Sequence, residues 1–299
     1  MNTVVDFQMM NNATYTQIRT RYEEEFGVMT CFMKPTPRPC YNKICLSETH
    51  QVQLNIEKSQ GTVAANGKMQ QVNYLVLASD VAGIFNLGGD LFAFIELIRA
   101  KDRKTLLDYA TLCVNNGWTF YNMQAPVTTI ALVQGQAMGG GFESALSAHV
   151  LVAEKSAMLG LPEVLFNLFP GMGALSFLSR KIGMAAAEKM VRSGKIYTGE
   201  ELYQMGVVDV LAEDGQGECT LNNWVKKNHR SFNSSQAINR SKRRVNPLTY
   251  QELFDITEIW VDAALNLSER NLSMMERLVS AQDAKIKCEV TPINQKKTA

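Results

Sequence analysis

The sequence predicts an α/β fold closed by a helical C-terminal region. Three observations carry this. Residues 74–78 (YLVLA) and 127–133 are apolar, partly β-branched runs of the kind buried on both faces of a sheet. Helical stretches alternate with them, which favours a sheet with short connections. From about residue 217 to about residue 286 the pattern is helical almost throughout.

In chain order, residues 14–26 (TYTQIRTRYEEEF) read as a short polar helix ended by Gly27, and VMTCFM as a strand. After the proline-rich KPTPRPCYN, Val52, Leu54 and Ile56 alternate with Gln51, Gln53 and Asn55. That period of two predicts a half-buried strand. Residues 61–71 are polar and turn-like, and SDVAGIFNLGGDL reads as a loop after the YLVLA strand. Two helices follow, the second with Leu106, Tyr109, Cys113 and Phe120 on one face. Beyond the strand at 127–133 come a glycine-rich turn (Gly135, Gly139, Gly140, Gly141), a helix at 142–149, a strand at 150–154 and a helix after Gly173. Thr198 and Glu201 have capping-box spacing for a helix ending at Gly206, and VVDVLA reads as a short strand. The longest C-terminal helix carries Leu253, Ile256, Trp260, Ala264 and Leu267 on one stripe, and the tail KCEVTPINQKKTA reads as polar and frayed.

Composition excludes several function classes. With 299 residues, 46% hydrophobic, 20% charged and a net charge of +1, the chain can bury a large core and carries no nucleic-acid or anionic-membrane footprint. No apolar run reaches the length of a membrane span, and the N-terminus lacks the pattern of a signal peptide. The six cysteines form no Cys-x-x-Cys pair and lie near no histidine at ligand spacing. The expectation is a cytoplasmic protein with free thiols and no metal. His50, His149 and His229 stand alone and read as structural or exposed.

Two glycine clusters and two carboxylates carry the chemistry. Gly88-Gly89-Asp90 ends a strand-to-helix loop, with Asp90 placed as an N-cap; taken alone it is an ordinary turn. Gly139-Gly140-Gly141 is harder to explain as a plain turn, because three consecutive glycines are costly to order. Bare amides at a helix start make a ready anion site. No Lys-Ser/Thr follows, so this is no P-loop. Glu143 lies among Phe142, Ala145 and Leu146; Glu163 lies among Leu159, Leu161, Val164, Leu165 and Phe166. Such carboxylates have raised pKa values and suit acid–base work. The run RSKRR at 240–244 is either a solvated helix end or a landing patch for an acidic carrier or a phosphorylated cofactor.

FNLGGDL, QGQAMGGGFESALSAHVLVAE, LGLPEVLFNLFPGMGALSFLSRKIG and SGKIYTGEELYQMGVVDVL together resemble the crotonase (enoyl-CoA hydratase/isomerase) superfamily over about residues 70–215. The resemblance implies a ββα superhelix core followed by a C-terminal helical region. It divides the chain into residues 1–70 (an N-terminal extension and the first core elements), 70–215 (the core with the site) and 216–299 (helices for the acyl pocket and oligomer contacts). It implies an oxyanion hole from the Gly89 and Gly140 amides, the acid–base pair Glu143 and Glu163, no cofactor beyond the acyl thioester, and a homo-oligomer, a trimer or dimer of trimers. ASDVAGIFNLGGDL, LPEVLFNLFPGMGA and VVDVLAEDGQGE are most similar to the bacterial diffusible signal factor synthases. That similarity implies dehydration of a 3-hydroxyacyl thioester on acyl carrier protein to the cis-2-enoyl form, then hydrolysis to a free fatty acid used in quorum sensing. Leu87, Met138, Met172, Trp260 and Leu278 are the candidate acyl-pocket residues, Trp260 and Leu278 being equally compatible with core packing. Two other readings stay open: a CoA-dependent hydratase or isomerase of fatty acid metabolism, and a crotonase-fold regulatory protein held by a signalling partner. The sequence does not divide acid and base roles between the glutamates.

Overall fold

The strands between residues 74 and 160 alternate between two sheets, and helix follows each pair. A computed structural model describes residues 4–6, 15–65 and 67–290. The larger sheet holds seven strands in the order β1 (Val4–Asp6), β2 (Ile18–Glu23), β3 (Val28–Met33), β6 (Tyr74–Ser79), β8 (Thr128–Val133), β10 (Val150–Glu154) and β13 (Val210–Ala212). Pairing is antiparallel through β1, β2 and β3 and parallel from β3 to β13. The smaller sheet runs β12 (Ile196–Thr198), β11 (Met158–Gly160), β9 (Gln136–Met138) and β7 (Ile84–Asn86). β4 (Thr62–Ala65) and β5 (Lys68–Gln71) form a separate hairpin.

β6, β8 and β10 of the large sheet therefore each lead into a strand of the small one and then into helix, whereas β3 and β13 lead directly into helices. β6 and β7 precede α2 (Leu91–Arg99) and α3 (Arg103–Tyr121). β8 and β9 precede α4 (Gly140–Leu146). β10 and β11 precede a short 3-10 helix (Pro162–Phe166), α5 (Ala174–Ile182) and α6 (Met184–Ser193). This is the expected ββα superhelix. Strands β3, β6 and β8 are buried almost along their whole length, as parallel strands covered on both faces must be. α7 (Gly199–Gln204) starts at the Thr198–Glu201 capping box. The C-terminal helices are α8 (Gly217–His229), α9 (Phe232–Val245), α10 (Tyr250–Leu265) and α11 (Glu269–Val290). The expected stripe is buried at Leu253, Trp260 and Ala264 on α10, with Ile256 partly covered; Leu267, also buried, lies just beyond the end of the helix.

Four expectations are corrected. The polar helix expected at 14–26 is strand β2, residue 14 lying outside the described residues. Ile18, Thr20 and Tyr22 are buried in alternation with charged neighbours, and six residues pair with β3, so long-range pairing overrides local helix propensity. The strand expected around residues 51–56 is helix α1 (Lys43–Lys58). Asn42 caps it by accepting the Cys45 N–H at 2.9 Å, and Cys45, Leu46, Thr49, Val52, Gln53 and Ile56 form a buried helical stripe. The turn-like stretch at 61–71 contains the β4–β5 hairpin, and the loop after β6 contains β7. Of the tail expected to fray at residues 287–299, residues 287–290 are the last turn of α11, and 291–299 lie outside the described residues.

Candidate active site

The site forms where the β7–α2 loop meets the start of α4. Along the first, Leu87 N–H donates to Pro39 O at 2.8 Å, Gly88 N–H to Asn86 Oδ1 at 2.8 Å, and Asp90 N–H to Tyr109 Oη at 3.3 Å. Gly89 N–H is the amide left without a protein acceptor among the described residues. Along the second, Gly139 N–H donates to Gly160 O and Glu143 N–H to Gly139 O, both at 2.9 Å. Gly140 N–H, in the first position of α4, has no intrahelical acceptor, as the geometry of a helix start requires.

The two unused amides are neighbours. A Cβ placed on Gly140 would stand 3.5 Å from Gly89 N, and one on Gly88 would stand 2.6 Å from Met138 O and 3.0 Å from Gly140 N. Gly88 sits at φ +91, so both close approach and backbone conformation call for glycine there. Tyr109 anchors the loop: its hydroxyl donates to Tyr41 O and accepts from Asp90 N–H. Asp90 caps α2 through the Ala93 N–H.

Glu143 points from α4 into the interior and is 3% exposed. Its Oε1 accepts N–H groups of Met172 and Ala174, each at 2.9 Å, from the turn before α5. Glu163, on the 3-10 helix, reaches toward Gly139, and its buried Oε2 has no partner. Burial raises the Glu143 carboxyl to about 7, held back by the Ala174 and Met172 amides. Burial raises Glu163 to about 8, with repulsion from Glu143 adding to it. The two titrate as a pair. When they share one proton it resides on Glu163, because two backbone donors stabilise the Glu143 anion while Glu163 has only its own backbone N–H and repulsion from Glu143.

Both carboxyls and both amides border one cavity of about 280 Å³, lined otherwise mostly by apolar side chains. Two free donors beside two raised carboxyls can hold a developing oxyanion while a proton leaves the adjacent carbon.

A model of the enoyl-CoA hydratase/isomerase family matches residues 53–254, more than half of the chain. The chain belongs to the enoyl-CoA hydratase/isomerase family. It is 33% identical over 159 residues to the mitochondrial methylglutaconyl-CoA hydratase 1 of Pyricularia oryzae, covering 52% of this chain and 43% of that protein. With a probable enoyl-CoA hydratase of Bacillus subtilis it shares 32% over 130 residues, covering 44% of this chain and 48% of that protein. The matches thus span a little under half the length of these relatives. Among solved structures, human mitochondrial delta3-delta2-enoyl-CoA isomerase superposes with a TM-score of 0.72 at 17% identity, covering 90% of this chain and 99% of that one. Pseudomonas aeruginosa DspI superposes with a TM-score of 0.66 at 20% identity, covering 80% and 86%. At these identities the likeness speaks for the fold.

In this family member, all nine residues singled out in the sequence border the same cavity: Glu143, Glu163, Gly89, Gly140, Leu87, Met138, Met172, Trp260 and Leu278. Trp260 is both wall and core. It is 2% exposed and packs edge-on against Phe94, with ring centroids 5.3 Å apart. Met172 borders the cavity and also supplies one of the amides that hold Glu143. His149 lies apart from the site: its Nδ1 accepts the Thr129 N–H, Nε2 meets Tyr121 O, and burial keeps the ring neutral. The basic run at 240–244 is on α9, where Arg243 donates to Met123 O and its neighbours are exposed. Sequence reasoning missed the anchoring hydroxyl of Tyr109 and the polar residues Thr49, Gln53 and Asn116, which also border the cavity. Asn116 shared a helical face with Tyr109, Cys113 and Phe120, and a polar residue on that apolar stripe was the available signal.

Proposed function

We propose that the chain dehydrates a medium- or long-chain 3-hydroxyacyl thioester and then hydrolyses it, releasing a cis-2-enoic acid as a diffusible signal. One observation carries this reading: two raised carboxyls and two unused amides border a single, largely apolar cavity. The thioester carbonyl sits between the Gly89 and Gly140 N–H groups. One carboxylate removes a proton from C2, and the amides stabilise the enolate oxygen. The enolate collapses to the C2–C3 double bond as the C3–O bond breaks, and the protonated partner carboxyl delivers its proton so that water leaves. Another water, activated by a carboxylate, then adds to the carbonyl; the C–S bond breaks, the thiol takes a proton and the free acid departs.

An acyl carrier protein is the proposed carrier, and the exposed basic run on α9 suits its acidic surface. α9 buries no residue in the single chain and exposes Ile238 and Val245, which supports contact with another subunit or a regulatory protein. A homotrimer or dimer of trimers fits the family resemblance. Among the described residues no helix is long and apolar enough to cross a membrane, and the proposed site of action is the cytoplasm.

The names of the relatives favour a second reading, a CoA-dependent enoyl hydratase. Product analysis by mass spectrometry separates the two, using a 3-hydroxyacyl carrier protein and the matching CoA ester. The first reading predicts free cis-2-enoic acid from the carrier-bound substrate. Release of trans-2-enoyl-CoA alone, without free acid, replaces it with the second.

A further inference from the structure

The cavity does not end in purely apolar side chains. Its outer border includes Leu165 and Ile196, which are 57% and 39% exposed. Its fully covered lining includes Thr49 and Gln53, one turn apart on α1, and Asn116 on α3. Gln53 is 3% exposed and Asn116 7%. Asn116 Nδ2 donates to Leu46 O at 3.0 Å and Leu112 O at 2.9 Å. Those two carbonyls fix the orientation of the amide, so Oδ1 faces away from both, and it has no partner. Gln53 Oε1 is likewise unpaired, and the side chain makes no hydrogen bond with the described residues. Thr49 gives its hydroxyl proton to Cys45 O at 2.7 Å and keeps only acceptor capacity. Buried polar groups are ordinarily satisfied, and two orphaned amide oxygens beside one cavity need a partner.

We propose that these buried polar residues form a recognition pocket at the end of the acyl site, and that the acyl chain it accepts carries a hydroxyl at or near its far end. Such a hydroxyl donates to Asn116 Oδ1 and, with the Gln53 amide turned over about its terminal bond, accepts from Nε2 brought to where Oε1 now lies, so that the Gln53 oxygen leaves its partnerless position. A methyl terminus leaves both amides unsatisfied and buries them against hydrocarbon. A charged terminus finds no ionic partner beside Thr49, Gln53 and Asn116, since the charged residues bordering the cavity are Glu143 and Glu163. The inference rests on reading the cavity as the acyl site.

The test is calorimetric titration with N-methyl amides of straight-chain acids of increasing length, each with and without a terminal hydroxyl. These neutral probes present a carbonyl and are not turned over. At the length that reaches the pocket, the hydroxylated amide is expected to bind wild type about tenfold or more tightly than its unsubstituted twin. Gln53→Leu should abolish that preference while binding the unsubstituted amide at least as well. This variant removes no protein hydrogen bond, so its fold should persist. Equal affinities in wild type across the whole series would overturn the inference, meaning that water satisfies the pocket, and would leave the acyl-site reading standing. A preference that survives in Gln53→Leu would also overturn it. Failure of every amide to bind would remove the acyl-site reading together with the inference.

Discussion

Gly139 and the Glu163 carboxylate compete for the same space: a Cβ on Gly139 would stand 2.5 Å from Glu163 Oε1. Gly139 also sits at φ +50. With ψ at −123 the backbone lies outside the left-handed helical region, and Gly139→Ala should cost about 1–3 kcal/mol of backbone strain. The steric conflict can be relieved by moving the flexible end of Glu163. The fold should therefore survive while turnover drops about 100-fold. Melting temperature and kcat measured on one preparation check this; a variant equally impaired in both would mean that the glycine serves only the backbone.

The raised carboxyls make a sign-definite prediction for stability against pH. Each has a folded pKa above its ordinary value of 4.5. The penalty is absent while both states are protonated. It grows as the unfolded chain ionises and the folded one does not, until pH passes the folded value. Wild type should therefore lose stability from about pH 4.5 to about pH 8 through this pair. Glu163→Gln should be more stable relative to wild type at about pH 9 than at about pH 5, by about 1 kcal/mol or more. Urea midpoints at the two pH values measure this, and a difference independent of pH would contradict the burial argument.

Gly140 occupies the first position of α4, where proline is tolerated because its missing N–H has no intrahelical acceptor. Gly140→Pro should keep its circular dichroism spectrum and lose about 10²–10³ in kcat, the loss typical of one missing oxyanion donor. A folded and fully active variant would place the oxyanion site elsewhere.

Tyr109→Phe deletes the hydroxyl that joins Asp90 N–H to Tyr41 O beside Gly89. Its effect should fall on kcat, by about tenfold, with KM little changed, because an interaction realised in the transition state is weakened. A change confined to KM would assign Tyr109 to substrate binding through the cavity wall instead.

Much of the site was legible because its parts lie close together in sequence. The glycine turn, Glu143 and Glu163 fall within one stretch, and the strand at 150–154 was read with the bounds it has. What escaped depended on distant partners. Strand β2 is a strand because β3 lies beside it. The Tyr109 hydroxyl acquires its role only when Tyr41 and Asp90 arrive. Gln53 was lost to a period error. Read as part of an alternating strand, it pointed outward; on α1 the buried stripe through Thr49, Val52 and Ile56 turns it inward. The capping interaction of Asn42 was the local signal that favoured the helix.

The central claim is that Glu143 and Glu163, with the Gly89 and Gly140 amides, move a proton at C2 of an acyl thioester. Exchange of that proton with deuterated solvent tests it directly, independently of carrier and of hydrolysis. Incubated with a 3-hydroxyacyl thioester, wild type should incorporate deuterium at C2, as read by mass spectrometry. The Gln variant of whichever carboxylate takes the C2 proton, Glu143→Gln or Glu163→Gln, should slow incorporation by about 10²–10⁴-fold while remaining folded. Exchange at the wild-type rate in both variants would contradict the account.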